Sequence, residues 1–371
     1  MKHLLLSLSL LLSFAVRAQF TLGDQIRDFA NAVPSYYHGH VEVLLDNISD
    51  PIVLGSQSRN WNRNWKIKYG LSISTQVFGL NTYDVSKIDR GDLYHSDAIQ
   101  FMGPANNALG EREGGILRQY LLTEQGDRVV NPLTGEYVYF ETELPGGLGG
   151  VLGVVPYMMP QMEFRLWKGL SVSGGLIPMD YFMRKMETGD FETKINMYNY
   201  GVCLNMRNFL RIPGLSWLQF EASQTHTNLG LSNLQDAIDF DESALLQIGF
   251  NNLSLQNNTR TFQYRGTMGL PLSRRIVLAI QGGFYGHRYD FRFDYDMSAN
   301  IDAEKLKEEY DLDFESGQID VKGTYKQGKN NPADFYYSGG VLFEGMIASV
   351  YLGYANINHP TVTFKTTLRL L

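Results

Sequence analysis

Segments of about ten residues in which apolar and polar side chains alternate recur along this sequence. In residues 67–77, isoleucine, tyrosine, leucine and valine occupy the odd positions, while the even positions carry mainly lysine, serine and glutamine. Strict alternation places the apolar side chains on one face of a β-strand and the polar ones on the other. The same pattern returns at 152–166, 170–176, 198–207, 218–223, 261–268, 335–354 and 362–370. The chain is therefore predicted to be all-β.

The connections between these segments favour a transmembrane antiparallel β-barrel over a soluble β-sandwich. Short turns at 167–169, 212–214, 270–273 and 344–345 alternate with longer loops at about 184–194, 231–257 and 297–333. Short turns at one end and long loops at the other are typical of outer-membrane barrels. Nine strands follow residue 150, and 116–122 and 138–142 are further candidates. Since the total should be even, with both chain ends in the periplasm, we expect a barrel of 12–14 strands.

The first eighteen residues read as a secretory signal peptide. A short basic start precedes an apolar run that ends in Val16-Arg17-Ala18, with small residues at −3 and −1. The run is shorter than the ~20 residues that a membrane-spanning helix requires. We expect cleavage after Ala18, a plug or periplasmic segment over 19–64, and a barrel over 65–371. The predicted location is the cell outer membrane.

Composition limits the classes of function. The formal net charge is −7 and hydrophobic residues make up 44 % of the chain, so neither a nucleic-acid partner nor general disorder is expected. Cys203 is the single cysteine, which excludes an intrachain disulfide.

The segment before the first strand is predicted to contain a plug helix. The spacing i, i+4, i+7, i+11 of its apolar residues predicts one amphipathic helical face, formed by Leu22, Ile26, Phe29 and Val33. A periplasmic tail is the alternative. The same segment carries the acids Asp24, Asp28, Glu42, Asp46 and Asp50.

Basic residues are concentrated on the polar faces of the strands near their predicted periplasmic ends. This lumen basic cluster consists of Lys66, Lys68, Arg165, Arg207, Arg265, Arg275, Lys365 and Arg369. Glu163 and Glu221 are the acids in the same positions. Like charges in a confined space repel unless they are compensated. One hypothesis is that the acidic N-terminal segment docks there and closes the pore; the other is that water and anions screen an anion-preferring channel.

The alternation also predicts details of the barrel wall. Ile73, Leu204, Phe220, Tyr264 and Leu352 should face lipid. In residues 276–295 the apolar set changes from even to odd positions at Gly282-Gly283, which predicts a β-bulge there. The charges that alternate over 288–296 should form an ion-pair ladder above the membrane.

Two stretches of sequence are similar to a known family. They are the run from Pro160 to Leu170, closed by Leu176-Ile177-Pro178, and Tyr200-Gly201-Val202 followed by residues 209–215. Together they resemble an uncharacterised family of Bacteroidota outer-membrane proteins that is distantly similar to the fatty-acid-transporter (FadL-type) barrels. The resemblance covers about 150–290 and the C-terminal strands. It implies a signal peptide, an N-terminal segment inside or under the barrel, and no established activity.

Residues that carry chemistry are sparse. His38-Gly39-His40 lacks a third ligand nearby, and His226 and His287 have Ser223 and Asp290 near in sequence without a recognisable nucleophile motif. We therefore expect no catalytic residue, no metal site and no cofactor, and the chain is not expected to be an enzyme.

The leading functional prediction is passive transport of a small apolar or amphipathic solute through a plugged barrel. A structural or interaction barrel that anchors a cell-envelope complex is the alternative, and a barrel-embedded hydrolase is third. Outer-membrane lipid and the barrel assembly machinery are the expected partners. Pro156, Pro160, Gly174 and Pro178 interrupt neighbouring strands, and a gap in the wall there would favour transport.

Overall fold

The structure, a computed structural model, describes residues 22–47, 67–78, 98–103, 114–123, 125–144, 153–178, 192–210, 212–232, 246–301, 304, 307–308, 317–345, 348–356 and 360–370. An α-helix, α1, spans Leu22–Asn47. The strands are β1 Ile67–Phe78, β2 Ile99–Met102, β3 Ile116–Tyr120, β4 Tyr139–Glu143, β5 Gly153–Trp167, β6 Leu170–Pro178, β7 Glu192–Asn205, β8 Trp217–Ser232, β9 Leu246–Pro271, β10 Ile276–Ile301, β11 Gly317–Glu344, β12 Ala348–Asn356 and β13 Pro360–Leu370. A 3-10 turn, Met206–Asn208, follows β7.

Ten of these strands form a closed antiparallel barrel. From β5 to β13 each strand pairs with the next along the chain, and β1 closes the ring between β13 and β5. The pairs Ile67–Leu370 and Ile67–Phe164 mark the two edges of β1 at the short-turn end. The prediction of an all-β antiparallel barrel with a short N-terminal helix is confirmed.

The remaining three strands lie outside the barrel wall, so the predicted number of wall strands needs correction. The described chain has thirteen strands, but β2, β3 and β4 make a separate sheet in the order β2-β3-β4. Both edges of β1 are already hydrogen-bonded, so the wall offers these strands no free edge beside β1. The wall therefore holds ten strands instead of 12–14, and 116–122 and 138–142 belong largely to the small sheet.

The outer face of the barrel carries an apolar band at the short-turn end. On β10 the outward positions from Ile276 to Phe284 are apolar or glycine, and Arg288 follows above them. Eight steps of ~3.3 Å give about 26 Å along the strand, or roughly 20 Å after a tilt of about 40°. Outer-membrane barrels have an apolar band of similar height, about 25 Å.

The residues predicted to face lipid lie within this band. Leu204, Phe220, Tyr264 and Leu352 are all exposed on the outer face, Tyr264 with 62 % of its surface accessible. The side chain of Ile73 lies outside the described ones. No helix in the described part of the chain has the length and apolarity needed to cross a membrane.

One side of the barrel is much taller than the other. Strands β9, β10 and β11 have 26, 26 and 28 residues, whereas β6 and β12 have 9 each. Above the apolar band the outward face of β10 is charged: Arg292 Nε lies 2.8 Å from an Asp294 carboxylate oxygen, and Lys322 of β11 lies 2.7 Å from Asp296. The upper part of these strands, which we call the tall wall, therefore meets water on its outer side.

The inner face of the tall wall forms a compartment with α1 and the small sheet. The helix packs between the two, with Phe29 against Phe140 of β4 and Tyr37 against Phe293 of β10, at ring-centroid distances of 5.1 and 5.2 Å. Leu117 of the small sheet is also completely buried in this core. We call this assembly the upper compartment.

An arginine in the apolar band should be costly. We expect Phe220→Arg to lower the free energy of unfolding in lipid by about 2–4 kcal/mol, because a charge placed near the middle of the bilayer loses its hydration. The matched control is Asn228→Arg, on the outward face of the same strand but level with Asp290, above the band. Urea titrations in lipid vesicles measure both. Equal costs for the two variants would contradict this position of the band.

Candidate functional site in the barrel lumen

Polar side chains line the lumen at the level of the apolar band. Because the faces of a strand alternate, the positions between the outward apolar residues point inwards, and most carry small polar side chains. Six of the buried ones are Thr225, Thr261, Gln281, Ser338, Thr363 and Thr367. Several bond to one another, as Ser338 Oγ does when it donates to Gln281 Oε1 at 2.9 Å. Side chains therefore occupy much of this part of the lumen.

A buried ion pair lies at the centre of this network. Arg265 of β9 donates to a carboxylate oxygen of Glu221 on β8 at 2.6 Å, and the two side chains are 0 % and 2 % exposed. Next to them, Gln263 Nε2 donates to the Tyr336 hydroxyl, and Ser223 Oγ donates to Gln263 Oε1 at 3.1 Å. The arginine charge is thus neutralised locally by an acid of the neighbouring strand.

A second polar group lies on the opposite side of the barrel. Lys365 of β13 is buried and donates to Gln161 Oε1 of β5 at 2.7 Å across β1. Ser171 of β6 donates to Glu163 at 2.5 Å. These bonds tie β13, β5 and β6 together inside the lumen.

The structure brings only part of the predicted lumen basic cluster together. Arg265 and Lys365 are buried inside, and Arg165 is half-buried with its Nε 3.4 Å from the Trp167 carbonyl oxygen. Arg207 and Arg275 lie in turns at the strand ends and are exposed, since the chain has left the wall before it reaches them. Lys66 lies outside the described residues, as do the side chains of Lys68 and Arg369.

The predicted plug face lies in the upper compartment. Ile26, Phe29 and Val33 are completely buried there, together with Tyr36. The described side chains of the helix that contact the wall meet aromatic residues high on β10 and β11. Two of the five acids in the docking hypothesis do not lie in the lower lumen: Asp24 is 3.9 Å from Arg27 of its own helix, and Asp28 is buried in the upper compartment. For the other three acids the hypothesis stays a prediction. The side chains of Leu22, Glu42 and Asp46, and Asp50 as a whole, lie outside the described part.

The aromatic inner face of the tall wall was missed by sequence reasoning. Tyr289, Phe291, Phe293 and Tyr295 point inwards and pack in the helix core. The bulge predicted at Gly282-Gly283 is wrong, because buried odd positions continue without a break from Val277 to Ala299. A register shift does occur nearby, between Tyr285 and His287, where two residues of β11, Pro332 and Ala333, lie opposite the single residue Gly286 of β10. The sequence did contain a sign of this compartment: along β10 the apolar residues change from even to odd positions, which indicates that the apolar side changes from the outer to the inner face of the wall.

The contacts along α1 give its direction. Gln25 exchanges two hydrogen bonds with the Leu122 backbone beside the small sheet, at 2.9 and 3.0 Å. Further along, the Tyr295 hydroxyl bonds Asn31, and His38 Nε2 lies 3.1 Å from the Tyr289 hydroxyl. Since Tyr289 is nearer to the apolar band than Tyr295, the helix runs from the top of the tall wall down towards the band.

Two polar side chains of the helix, Tyr37 and His38, pack among aromatic rings, and Tyr37 is buried. Burial, with a smaller contribution from Tyr36, raises the pKa of Tyr37, so its hydroxyl is neutral at physiological pH. His38 packs edge-on against Phe291 at a ring-centroid distance of 4.9 Å. In the described part of the chain, no three His, Cys, Asp or Glu side chains are close enough to hold a metal ion.

The residues considered as catalytic candidates are not close together. His226 stacks on Tyr198 on the outer face of the wall, at 4.6 Å, whereas Ser223 points into the lumen. His287 bonds Asn331 at 2.7 Å on the inner face, and Asp290 pairs with Arg288 on the outer face.

Comparisons with known proteins find similarity in structure alone. No protein-family model and no curated protein sequence matches the chain. The translocator domain of the autotransporter NalP from Neisseria meningitidis matches 92 % of this chain and 100 % of its own, with 5 % identity and a TM-score of 0.33. The P. putida toluene transporter TodX matches 86 % of this chain and 90 % of its own, with 8 % identity and a TM-score of 0.20. At these values the functions of those proteins say nothing about the function of this chain.

Proposed function

We propose that the chain is an outer-membrane barrel that takes up a small apolar or amphipathic solute passively, by a lateral route through the wall between β5 and β6. The observation that carries this proposal is the early end of the β5–β6 ladder. From the turn at the short-turn end, β5 and β6 are paired from Trp167–Leu170 to Gln161–Gly175, and the pairing stops there. Beyond that pair β5 continues to Gly153 and β6 continues to Pro178.

Prolines provide the physical reason for this end. Pro160 is the next residue of β5 above the last pair, and Pro156 lies further up the same strand, while Pro178 ends β6. Proline has no N–H and cannot donate to a ladder. Above the last pair, β5 stays bonded to β1, and β6 stays bonded to β7, so the described wall is interrupted only on the edge that the two strands share. Gly174, also predicted to interrupt the wall, pairs with Met162 inside the ladder.

The surroundings of the interruption fit an apolar solute. Met159 of β5 is buried on the inner side, where its Sδ would lie 3.0 Å from a Cβ added to Gly175. Met197 of β7 is completely buried. Methionine side chains are flexible and polarisable and adapt to varied apolar partners. The axial route, in contrast, contains the hydrogen-bonded side chains of the lumen, which supports passage through the side.

The proposal includes the finer predictions made from sequence. It takes the chain as a FadL-like barrel of the Bacteroidota type, exported by its signal peptide, with outer-membrane lipid and the barrel assembly machinery as partners. It assigns no catalytic activity.

A cross-link between β5 and β6 tests the route. Pro160 and Leu176 would be the next pair if the ladder continued beyond Gln161–Gly175. We expect a thiol cross-link in P160C/L176C to hold β5 and β6 together there and so to close the lateral route. Entry of a hydrophobic fluorescent dye into cells should then fall about tenfold. The matched control is M162C/G174C, which joins residues that are already paired. Both variants carry Cys203→Ala, since Cys203 is the natural cysteine. Unchanged entry after complete cross-linking of P160C/L176C would contradict the lateral route.

The alternative function, an anchoring or interaction barrel, is favoured by the side chains that occupy the lumen. It predicts that cells with and without the protein take up the dye at the same rate, whatever the cross-link. That result would replace transport by anchoring as the better proposal.

A further inference from the structure

A row of basic residues crosses the outer face of the barrel just above the apolar band. Backbone register places His226, Arg260 and Arg288 side by side on β8, β9 and β10, with Tyr198 of β7 and Asn330 of β11 beside them at either end. We call His226, Arg260 and Arg288 the basic row. Arg260 and Arg288 are directly opposite each other, and His226 is opposite Arg260 on the other side. Like charges directly opposite in a sheet are destabilising. An anion bound between the two arginines would remove this repulsion.

Within the described part of the chain, one exposed carboxylate is paired with the two arginines of this row. Asp290, the acid two residues above Arg288 on the same face, lies 3.4 Å from Arg288, and both side chains are at least 60 % exposed. Exposed pairs of this kind are worth little because water screens them. Among the described residues no carboxylate is paired with Arg260. Two arginines on directly opposite residues of neighbouring strands are suited to a phosphate, whose oxygens accept paired N–H donors.

An apolar groove lies directly below the basic row. It has a volume of about 530 Å³ and opens on the outer face of β7 to β11. Ala222, Gly266 and Gly282 form its floor, and the rings of Phe220, Tyr264 and Phe284 rise around it. The floor is low because two of its residues lack a side chain: a Cβ added at Gly266 would meet the Phe220 ring at 3.6 Å.

The groove and the basic row lie in line along the strands. Arg260 is four residues above Tyr264 on β9, and Arg288 is four residues above Phe284 on β10. Four steps correspond to about 13 Å. The apolar groove lies within the band that faces lipid tails, and the basic row lies at its upper boundary. A ligand that fits both must have a phosphate on an apolar tail.

We propose that this face binds a phosphorylated glycolipid of the outer leaflet, with its phosphate between Arg260 and Arg288 and one acyl chain in the groove. The site rests on the outer-membrane location and is independent of the β5–β6 route, since it lies on other strands. Bound lipid would hold the outward face of the tall wall at the membrane surface.

Binding of synthetic lipids to the full chain in detergent tests the proposal. The probes are monophosphoryl lipid A, the same lipid without phosphate, and inorganic phosphate. We expect R260Q/R288Q to bind monophosphoryl lipid A about tenfold more weakly, because charge-assisted contacts to the phosphate are lost. The matched control K322Q/K326Q also removes two positive charges from the outer face, but higher on the tall wall, and should bind within about twofold of the parent.

The groove is tested separately. Ala222→Phe should reduce binding of both lipids about tenfold by filling the floor, while R260Q/R288Q affects only the phosphorylated lipid. Ala222→Leu serves the same purpose if the phenylalanine variant does not fold. Equal affinity for the two lipids, an equal loss in K322Q/K326Q, or displacement of the lipid by an equal concentration of inorganic phosphate would overturn the proposal. Failure here leaves dye entry unaffected, so the two proposals can fail independently.

Discussion

Replacing Glu221 by glutamine is expected to lower the free energy of unfolding by about 3–5 kcal/mol, because it leaves the Arg265 charge buried without its counter-charge. Both side chains are almost completely inaccessible, so water cannot take the place of the carboxylate. Urea titration in lipid vesicles, followed by the fluorescence of the nearby buried Trp217, measures the loss.

The matched control is Asp290→Asn, which removes an acid from an exposed ion pair of the same barrel. Exposed pairs contribute about 0–1 kcal/mol, so its cost should be small. The double variant E221L/R265M should recover most of the loss, because an apolar pair of similar volume needs no compensation. Equal costs for Glu221→Gln and Asp290→Asn would show that water reaches the pair.

Replacing Phe29 by alanine is expected to destabilise the upper compartment by about 3–5 kcal/mol, since the change leaves a cavity in a packed core. Phe29 is completely buried, and its ring meets Phe140 of the small sheet edge-on. The loss should appear as faster proteolysis of α1 and the small sheet, while the barrel wall stays intact.

Arg27→Ala is the control for this second prediction, because the Arg27 side chain is on the same helix and 52 % exposed. It should leave the proteolysis rate of the upper compartment nearly unchanged. If Phe29→Ala were cleaved no faster than Arg27→Ala, the helix would not depend on this contact.

Alternation was sufficient to predict the barrel and its outward face within the apolar band. On β8 and β9 it placed Phe220 and Tyr264 outside, and both are exposed. The pattern works there because one face of the strand meets lipid and the other meets a polar lumen. The apolar positions of the strand are therefore the ones that face outwards.

The same pattern misled above the band, for a physical reason. Alternation shows whether the odd or the even positions of a strand are apolar, but it does not show whether those positions face the inside or the outside of the wall. On β10 the outside changes from lipid to water, while the inside changes from a polar lumen to the core around α1. The apolar set therefore moves from Ile280 and Phe284 to Phe291 and Phe293 without any extra residue in the strand.

Other features of the site depend on pairing between distant segments, which a single sequence does not specify. The spacing of β3 and β4 is that of ordinary strands, and only the occupied edges of β1 exclude them from the wall beside it. Likewise, Arg207 and Arg265 both follow the alternating pattern in the sequence. In the structure Arg207 lies in a turn, whereas Arg265 of β9 forms an ion pair with Glu221 of the neighbouring strand β8.

The pairing of β1 with β13 also bears on the order of two folding steps, the entry of α1 and the closure of the barrel. The seam of the ring joins the first wall strand to the last, so the circle stays open until the C-terminal residues have been placed. Helix α1, ~39 Å long at 1.5 Å per residue, lies on the inner side of that ring and is joined to β1 through residues 48–66. Entry of the helix is simplest while the seam is open, so we expect pairing of the eleven residues of β13 with β1 to enclose it.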